Sequence, residues 1–103
     1  MSNIMSIYSS DIKRAKKPME YTVSIVECSK TGISYAFRFA DAGFRVICVN
    51  TDPHSFSLLK GGHPSYLQRS QLRRLRMFIK EEILEVSANS REAVSQSDVI
   101  IIT

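Results

Sequence analysis

The sequence predicts an α/β fold built on a parallel sheet. Short runs rich in β-branched residues occur at 23–26, 45–50, 83–87 and 98–103, and segments with helical spacing of apolar residues separate them. This alternation is typical of parallel strands joined by right-handed helical crossovers. Numbered along the chain, the four strands are expected in the order 3-2-1-4, which is a Rossmann-like sheet, incomplete relative to a full dinucleotide-binding domain.

The first strand–helix–strand unit carries the clearest pattern. Residues 23–26 form a continuous apolar run, as expected for a strand that is covered on both faces. The next helix is expected to end near Ala42, because Gly43 readily adopts the left-handed conformation that terminates helices. Residues 45–50 then predict the second strand. The buried face of the helix is predicted from four residues at helical spacing, Ile33, Ala36, Phe37 and Ala40.

Two helices are predicted between the second and third strands. Asp52 followed by Pro53 is typical of a helix start, with Asp52 as the capping residue, and this helix extends roughly to Lys60. Residues 61–62 are both glycine and break it. Leucine and isoleucine residues on one stripe predict a second helix over 68–82.

The ends of the chain have different characters. Residues 1–19 lack a clear period and are expected to form a flexible lead-in to a partial Rossmann-like domain over 20–103. After a short helix capped by Ser90, the most apolar strand, Val99–Ile102, would lie at an edge of the sheet. An exposed apolar edge favours association. We therefore expect that the chain is the first part of a longer protein or that it forms a homodimer through this strand.

Composition excludes some classes of protein. The chain has 103 residues, and 44% of them are hydrophobic, which is enough for one small domain with a core. No apolar run approaches the roughly 20 residues that cross a bilayer, and no secretory signal is evident. Cys28 and Cys48 fall at predicted buried strand ends and are expected to be reduced core residues. These features predict a cytoplasmic protein.

Basic residues give the chain a net charge of +4 and are concentrated at 13–17 and 69–80. Such clusters can bind nucleic acid. The second cluster contains a single aromatic residue, Phe78, which is too few for a base-stacking surface, so a polyanion-binding module is the least favoured reading and nucleic acid is not an expected partner. His54 and His63 have no cysteine or acidic partner at ligand spacing, and no metal site is predicted.

The turn after the first strand resembles a phosphate-binding loop with a damaged fingerprint. The glycines of G-x-G-x-x-G fall on Glu27, Ser29 and Gly32, so one of three is present. Glu27 adds bulk and a negative charge near the place of a diphosphate, and the Ser29 side chain occupies space that the ligand needs. Both residues are expected to weaken dinucleotide binding, and Lys30 is expected to compensate in part.

Several short motifs occur with an order and spacing that match one enzyme family. They are FADAGF at 39–44, VICVNTD at 46–52, LLKG at 58–61, then Pro64 and Tyr66, REAV at 91–94 and SDVIII at 97–102. On these motifs, residues 22–103 resemble the start of the UDP-glucose/GDP-mannose dehydrogenase family, which oxidises nucleotide sugars to uronic acids with NAD.

The resemblance implies a cofactor site and a function. NAD would be held by backbone groups of Ser29, Lys30, Thr31 and Gly32, with Asn50 and Asp52 near the adenosine ribose. Asn50 stands where the family has an acid, and an amide is a weaker partner for the ribose hydroxyls. Asp52 serves equally well as a helix cap.

The family's catalytic cysteine, lysine and asparagine lie downstream of the matching region, so no catalytic residue is assigned. The chain is thus expected to be the NAD-binding portion of a nucleotide-sugar 6-dehydrogenase that is not catalytic by itself. The alternative is a degenerate, non-catalytic Rossmann-like domain that acts in assembly.

Overall fold

The computed structural model describes residues 5–7 and 20–103. The elements follow the predicted order, with an additional strand near the start. They are β1 Met5–Ile7, β2 Thr22–Val26, α1 Lys30–Asp41, β3 Arg45–Val49, α2 Pro53–Lys60, α3 Arg69–Lys80, β4 Leu84–Ser87, α4 Ser90–Ser95 and β5 Val99–Ile102. The flexible lead-in predicted for 1–19 lies largely outside the described residues and stays a prediction.

The four predicted strands form the parallel part of one sheet. β2 pairs with β3 on one side and with β5 on the other, and β3 pairs with β4. In chain order of these four strands the arrangement is 3-2-1-4, which confirms the predicted Rossmann-like fold. β2 is therefore an inner strand of the sheet. The strands that follow it in the chain, β3 and β4, lie on one side of it, and β5 lies on the other.

The strand at Val99–Ile102 does not lie at the edge of the sheet, so that prediction is wrong. β1 pairs antiparallel with β5, with Met5 opposite Ile101 and Ile7 opposite Val99. The five-stranded order is β1-β5-β2-β3-β4. Three residues are too few to show a strand period, and their place depends on a partner strand more than 90 residues away in the chain.

The core lies mainly on one face of the sheet. Alternate strand residues such as Ile25 and Val46 face α1, α2 and α3, which contribute Phe37, Leu59 and Leu75 to the same cluster. The other face has a smaller cluster, in which Ala93 of α4 packs against Ile47 and Val49. Helices therefore cover both faces, as the continuous apolar strands predict.

Local signals in the sequence define most helix ends. Asp52 caps α2 by accepting a hydrogen bond from the Ser55 amide at 2.9 Å, as predicted. Gly43, which follows the C-cap residue Ala42 of α1, has a φ of 95°, which confirms its role as a terminator. The cap of α4 is Asn89, whose Oδ1 accepts from the Glu92 amide at 3.0 Å, so the assignment of Ser90 as the cap is wrong by one residue.

α1 and α3 have 12 residues each. Over the part of the chain that the structure describes, no helix is long and apolar enough to span a membrane.

Candidate functional site

The predicted site residues gather at the carboxyl edge of the sheet, beside the end of β2. The strands on either side of β2 are β3 and β5, so the chain leaves this strand at the point where strand order reverses. In open parallel sheets, ligands bind in the crevice outside the carboxyl ends of the strands at such a point. Thr103, after β5, reaches across it and donates a hydrogen bond from Oγ1 to the Val26 carbonyl at 3.4 Å.

Gly32 allows α1 to pack closely on the sheet. A Cβ atom built at this residue would lie 3.1 Å from the Cys28 Sγ and 3.1 Å from the Ile25 Cγ2. Both neighbours are fully buried. Gly32 therefore performs the packing function of the third glycine in the fingerprint, and this explains why it is present where the other two are replaced.

The amino terminus of α1 is open at this edge. Ser29 is the N-cap residue by position, yet its side chain makes no capping hydrogen bond, and the first turn contains no acidic residue. Lys30 and Thr31 are exposed. Within the described residues, no side chain is hydrogen-bonded to the first-turn amides of α1. These amides and the positive end of the helix dipole form an arrangement that suits an anion.

Glu27 occupies a backbone conformation that favours glycine. Its φ is 57°, in the left-handed region, as expected for the first residue of this tight turn. Its carboxylate reaches Thr51: Oε1 accepts from the Thr51 amide at 3.1 Å and from Thr51 Oγ1 at 2.9 Å. Oε2 lies 3.2 Å from the same hydroxyl. The side chain thus bridges the carboxyl ends of β2 and β3.

Both polar atoms of the Asn50 side chain form hydrogen bonds within the protein. The residue is buried, its Nδ2 donates to the Cys28 carbonyl at 3.1 Å, and its Oδ1 accepts from the Asp52 amide at 3.1 Å. The amide therefore fixes the turn after β2 against the end of β3. One N–H and one lone pair of the amide remain unused, but the burial of Asn50 limits their access to a ligand hydroxyl.

Asp52 is exposed, and its carboxylate is directed to the start of α2. Hydrogen bonds from Ser55 lower the pKa of this carboxyl. Its role as a helix cap is therefore shown, whereas contact with a ribose stays a prediction.

Two thiols and a phenol lie beneath the site. Cys28 and Cys48 are both free and fully buried. The hydrogen bond between the two thiols and their burial raise the pKa of Cys48. Tyr66, in the loop between α2 and α3, packs against the same core, and its partial burial raises the pKa of its phenol to about 12. Both cysteines are packed into the main hydrophobic core as small apolar residues.

Part of the basic cluster on α3 is used within the fold. The Arg74 Nη2 donates to the Asp41 Oδ1 at 2.6 Å, and its guanidinium lies 4.9 Å from the Phe37 ring centroid. The Arg76 Nε donates to the Gly62 carbonyl at 3.0 Å, and its Nη2 lies 2.9 Å from the His63 Nδ1. The Asp41 carboxylate offsets the Arg74 charge, and the hydrogen bonds of Arg76 hold its guanidinium against the loop after α2. Over residues 20–103, no group of three or more potential ligand side chains is placed to hold a metal ion.

Comparison with known proteins gives matches among solved structures. No family model and no curated protein matches the chain. A UDP-glucose dehydrogenase from the hyperthermophilic archaeon Pyrobaculum islandicum superposes with a TM-score of 0.67 at 22% identity, over 75% of this chain and 18% of that one. A GDP-mannose dehydrogenase from Pseudomonas aeruginosa gives 0.65 at 20% identity, over 73% and 17%.

The chain therefore spans less than a fifth of the length of either dehydrogenase. Identities of 20–22% show a likeness of fold. This likeness agrees with the architecture expected from the sequence motifs. The chain shares the Rossmann-like fold of a segment of the UDP-glucose and GDP-mannose dehydrogenases.

Proposed function

We propose that this chain is the NAD-binding portion of a nucleotide-sugar 6-dehydrogenase of the UDP-glucose/GDP-mannose type. The observation that carries the proposal is the open amino terminus of α1 beside the central strand, at the edge where this fold binds ligands. The likeness to the two dehydrogenase structures supports the same assignment.

The residues present fit the diphosphate of a dinucleotide. Amide groups of Lys30, Thr31 and Gly32 in the first turn of α1 have no acceptor among the described side chains, and the helix dipole favours negative charge there. The Lys30 ammonium adds a mobile positive charge at the same helix end. The backbone of Ser29 forms the approach to this turn.

NAD, when bound, would accept a hydride from the alcohol carbon of the sugar. This chain would bind and orient the adenosine diphosphate half of the cofactor. The buried cysteines, Cys28 and Cys48, are packed into the core and have no part in the chemistry. Sugar oxidation would be performed by residues beyond this segment, so the chain is not catalytic by itself.

A degenerate domain that acts in assembly is the second candidate. It is favoured by the hydrogen bonds that hold Glu27 to Thr51 and Asn50 to Cys28. In this alternative both side chains serve only to join the ends of β2 and β3, and no cofactor is bound.

The first test is thermal melting of the purified chain with and without millimolar NAD. Ligand at about 100 times its dissociation constant adds roughly 2.7 kcal/mol of stability, which for a domain of this size raises the melting temperature by about 10 °C. We expect a clear upward shift. Lys30→Gln should reduce this shift, whereas Lys60→Gln, at the carboxyl end of α2, should leave it unchanged. A cooperative melt that NAD does not move would support the assembly alternative.

A further inference from the structure

We propose that the outer face of α3 binds the phosphate backbone of duplex DNA without reading its base sequence. The helix has five basic residues and no acidic residue among its 12 positions. Composition alone does not favour such a partner, because it does not show which of these charges lie together in the folded chain. DNA binding at α3 is independent of the cofactor site beside α1.

Four of the basic side chains form one line along the solvent side of α3, which we call the basic ridge. All four are exposed, and they are Arg69, Arg73, Arg76 and Lys80. At about 3.6 residues per turn, their spacing places them within about 60° of arc around the helix axis. The buried side chains of the helix, Leu75 and Phe78, lie on the opposite side. The basic ridge is therefore about 16 Å long and is turned away from the core.

The remaining basic residue of α3 does not belong to the basic ridge. Arg74 is paired with Asp41 and its guanidinium lies over the Phe37 ring, so its charge is largely offset. The Arg76 Nε donates to the Gly62 carbonyl at 3.0 Å, and this neutral acceptor holds the guanidinium in place without cancelling its charge. The other three members of the basic ridge form no ion pair with a described residue. The structure therefore leaves four cations available to an anionic partner.

The residues around the basic ridge distinguish between classes of anionic partner. Among the residues of α3, all of which the structure describes, Met77 is the one large apolar side chain that is exposed. Protein interfaces have an apolar centre, and helices that bind membrane surfaces insert an apolar face, which in α3 is turned into the core. Single-stranded nucleic acid stacks its bases on aromatic side chains, and the aromatic residue of α3, Phe78, is buried. A duplex, whose bases are already stacked, fits this surface best.

The length of the basic ridge fits a short run of phosphates. Each strand of a duplex carries one negative charge for about every 3.4 Å of its axis, so about 16 Å corresponds to about five phosphates. Phosphate contacts position a protein on DNA and carry no sequence information. The ridge is most basic in its amino-terminal half, because Glu81 and Glu82 follow α3 at its carboxyl end. Arg69 and Arg73 are therefore the residues to change first.

Fluorescence anisotropy of a labelled duplex of about 20 base pairs, titrated with the full chain at about 50 to 200 mM salt, tests the proposal. Wild type should bind with a Kd in the micromolar range at low salt, equally for two unrelated sequences. Four phosphate contacts should contribute about 3.6 to the slope of log K against log salt. An absence of binding at low salt would overturn the proposal, and so would tighter binding to phosphatidylserine vesicles than to DNA.

Variants show whether the basic ridge carries the binding. Arg69→Gln combined with Arg73→Gln should lower the salt slope by about 2 and weaken binding at low salt at least about tenfold. Arg73→Gln alone should lower the slope by about 1. Arg91→Gln is its matched control, since it removes the same charge from an exposed position of α4, on the other face of the sheet. If the double variant binds like wild type, or Arg91→Gln weakens binding as much as Arg73→Gln, the proposal is overturned.

Discussion

At the scale of single residues, Glu27 shows how a replaced glycine changes a turn. A non-glycine residue with a φ of 57° costs on the order of 1 kcal/mol in backbone strain. Hydrogen bonds from the Thr51 amide and hydroxyl offset part of this cost. The turn therefore keeps the left-handed conformation typical of glycine, and the Glu27 carboxylate is held at the edge of the sheet by Thr51.

Tyr66 gives a residue-level prediction about pH. Its folded-state pKa of about 12 exceeds the ordinary value of 10.0, so the folded state holds the phenolic proton more tightly than the unfolded state. The resulting stability is present below pH 10 and is lost as the pH rises toward 12. Since the side chain is half-buried, we expect a loss of about 1–2 kcal/mol.

The measurement is urea unfolding at a series of pH values from 8 to 11.5. Tyr66→Phe removes the ionisable group and keeps the ring, so the difference between the two proteins isolates this residue from other groups that titrate in the range. Above about pH 10 the unfolding free energy of wild type should fall relative to that of Tyr66→Phe. Parallel curves over the whole range would contradict the burial of this phenol.

At the scale of elements, the packing of α1 on β2 depends on the absence of a side chain at Gly32. The helix presents Ile33, Phe37 and Ala40 to the sheet, and these apolar contacts fix its orientation. A side chain at residue 32 would limit how closely α1 approaches β2, because a Cβ atom there would meet the buried side chains of Cys28 and Ile25. Fully buried neighbours of this kind have little room to move.

Gly32→Ala is therefore expected to destabilise the chain. Overpacking a core contact costs about 1–3 kcal/mol, and the better helix propensity of alanine returns up to about 1 kcal/mol. The net loss in unfolding free energy should be about 1 kcal/mol, measured by urea unfolding. Ser34→Ala, at an exposed position of the same helix, should be neutral or stabilising. A Gly32→Ala variant more stable than wild type would show that α1 can shift away from β2.

At the scale of the whole molecule, β1 changes which edge of the sheet is free. The sequence predicts that Val99–Ile102 is covered either by a further part of a longer protein or by a second copy of the chain. In the structure β1 is hydrogen-bonded along that strand. The opposite edge, β4, alternates buried and exposed residues, and Glu85 projects from it. A charged residue on an edge strand is a common protection against pairing between copies.

Removal of residues 1–19 should expose the β5 edge and promote self-association. Sedimentation velocity over a range of concentrations would measure it, with the intact chain as reference. The shortened chain should form a dimer at concentrations where the intact chain does not. An added Ile100→Lys substitution in the shortened chain should reverse this, since lysine on an edge strand disfavours pairing. Identical behaviour of the shortened and intact chains would contradict a protective role for β1.

The class of fold, the order of its main elements and most of their ends can be predicted from the amino-acid sequence. These features depend on interactions between residues close in the chain: apolar spacing in α1, the Asp52–Ser55 cap of α2 and the left-handed Gly43. Period and capping are local, so a linear pattern records them.

Three features follow from the packing of the chain: the Glu27 side chain contacts Thr51, the Asn50 amide is hydrogen-bonded to Cys28, and β1 pairs with β5. Each of these contacts joins residues more than 20 positions apart in the chain. Such contacts exist because parallel strands bring their carboxyl ends together, and no local pattern specifies which side chains then meet. The site is therefore predicted in its location from sequence, while the partners of its side chains follow from the packing of the sheet.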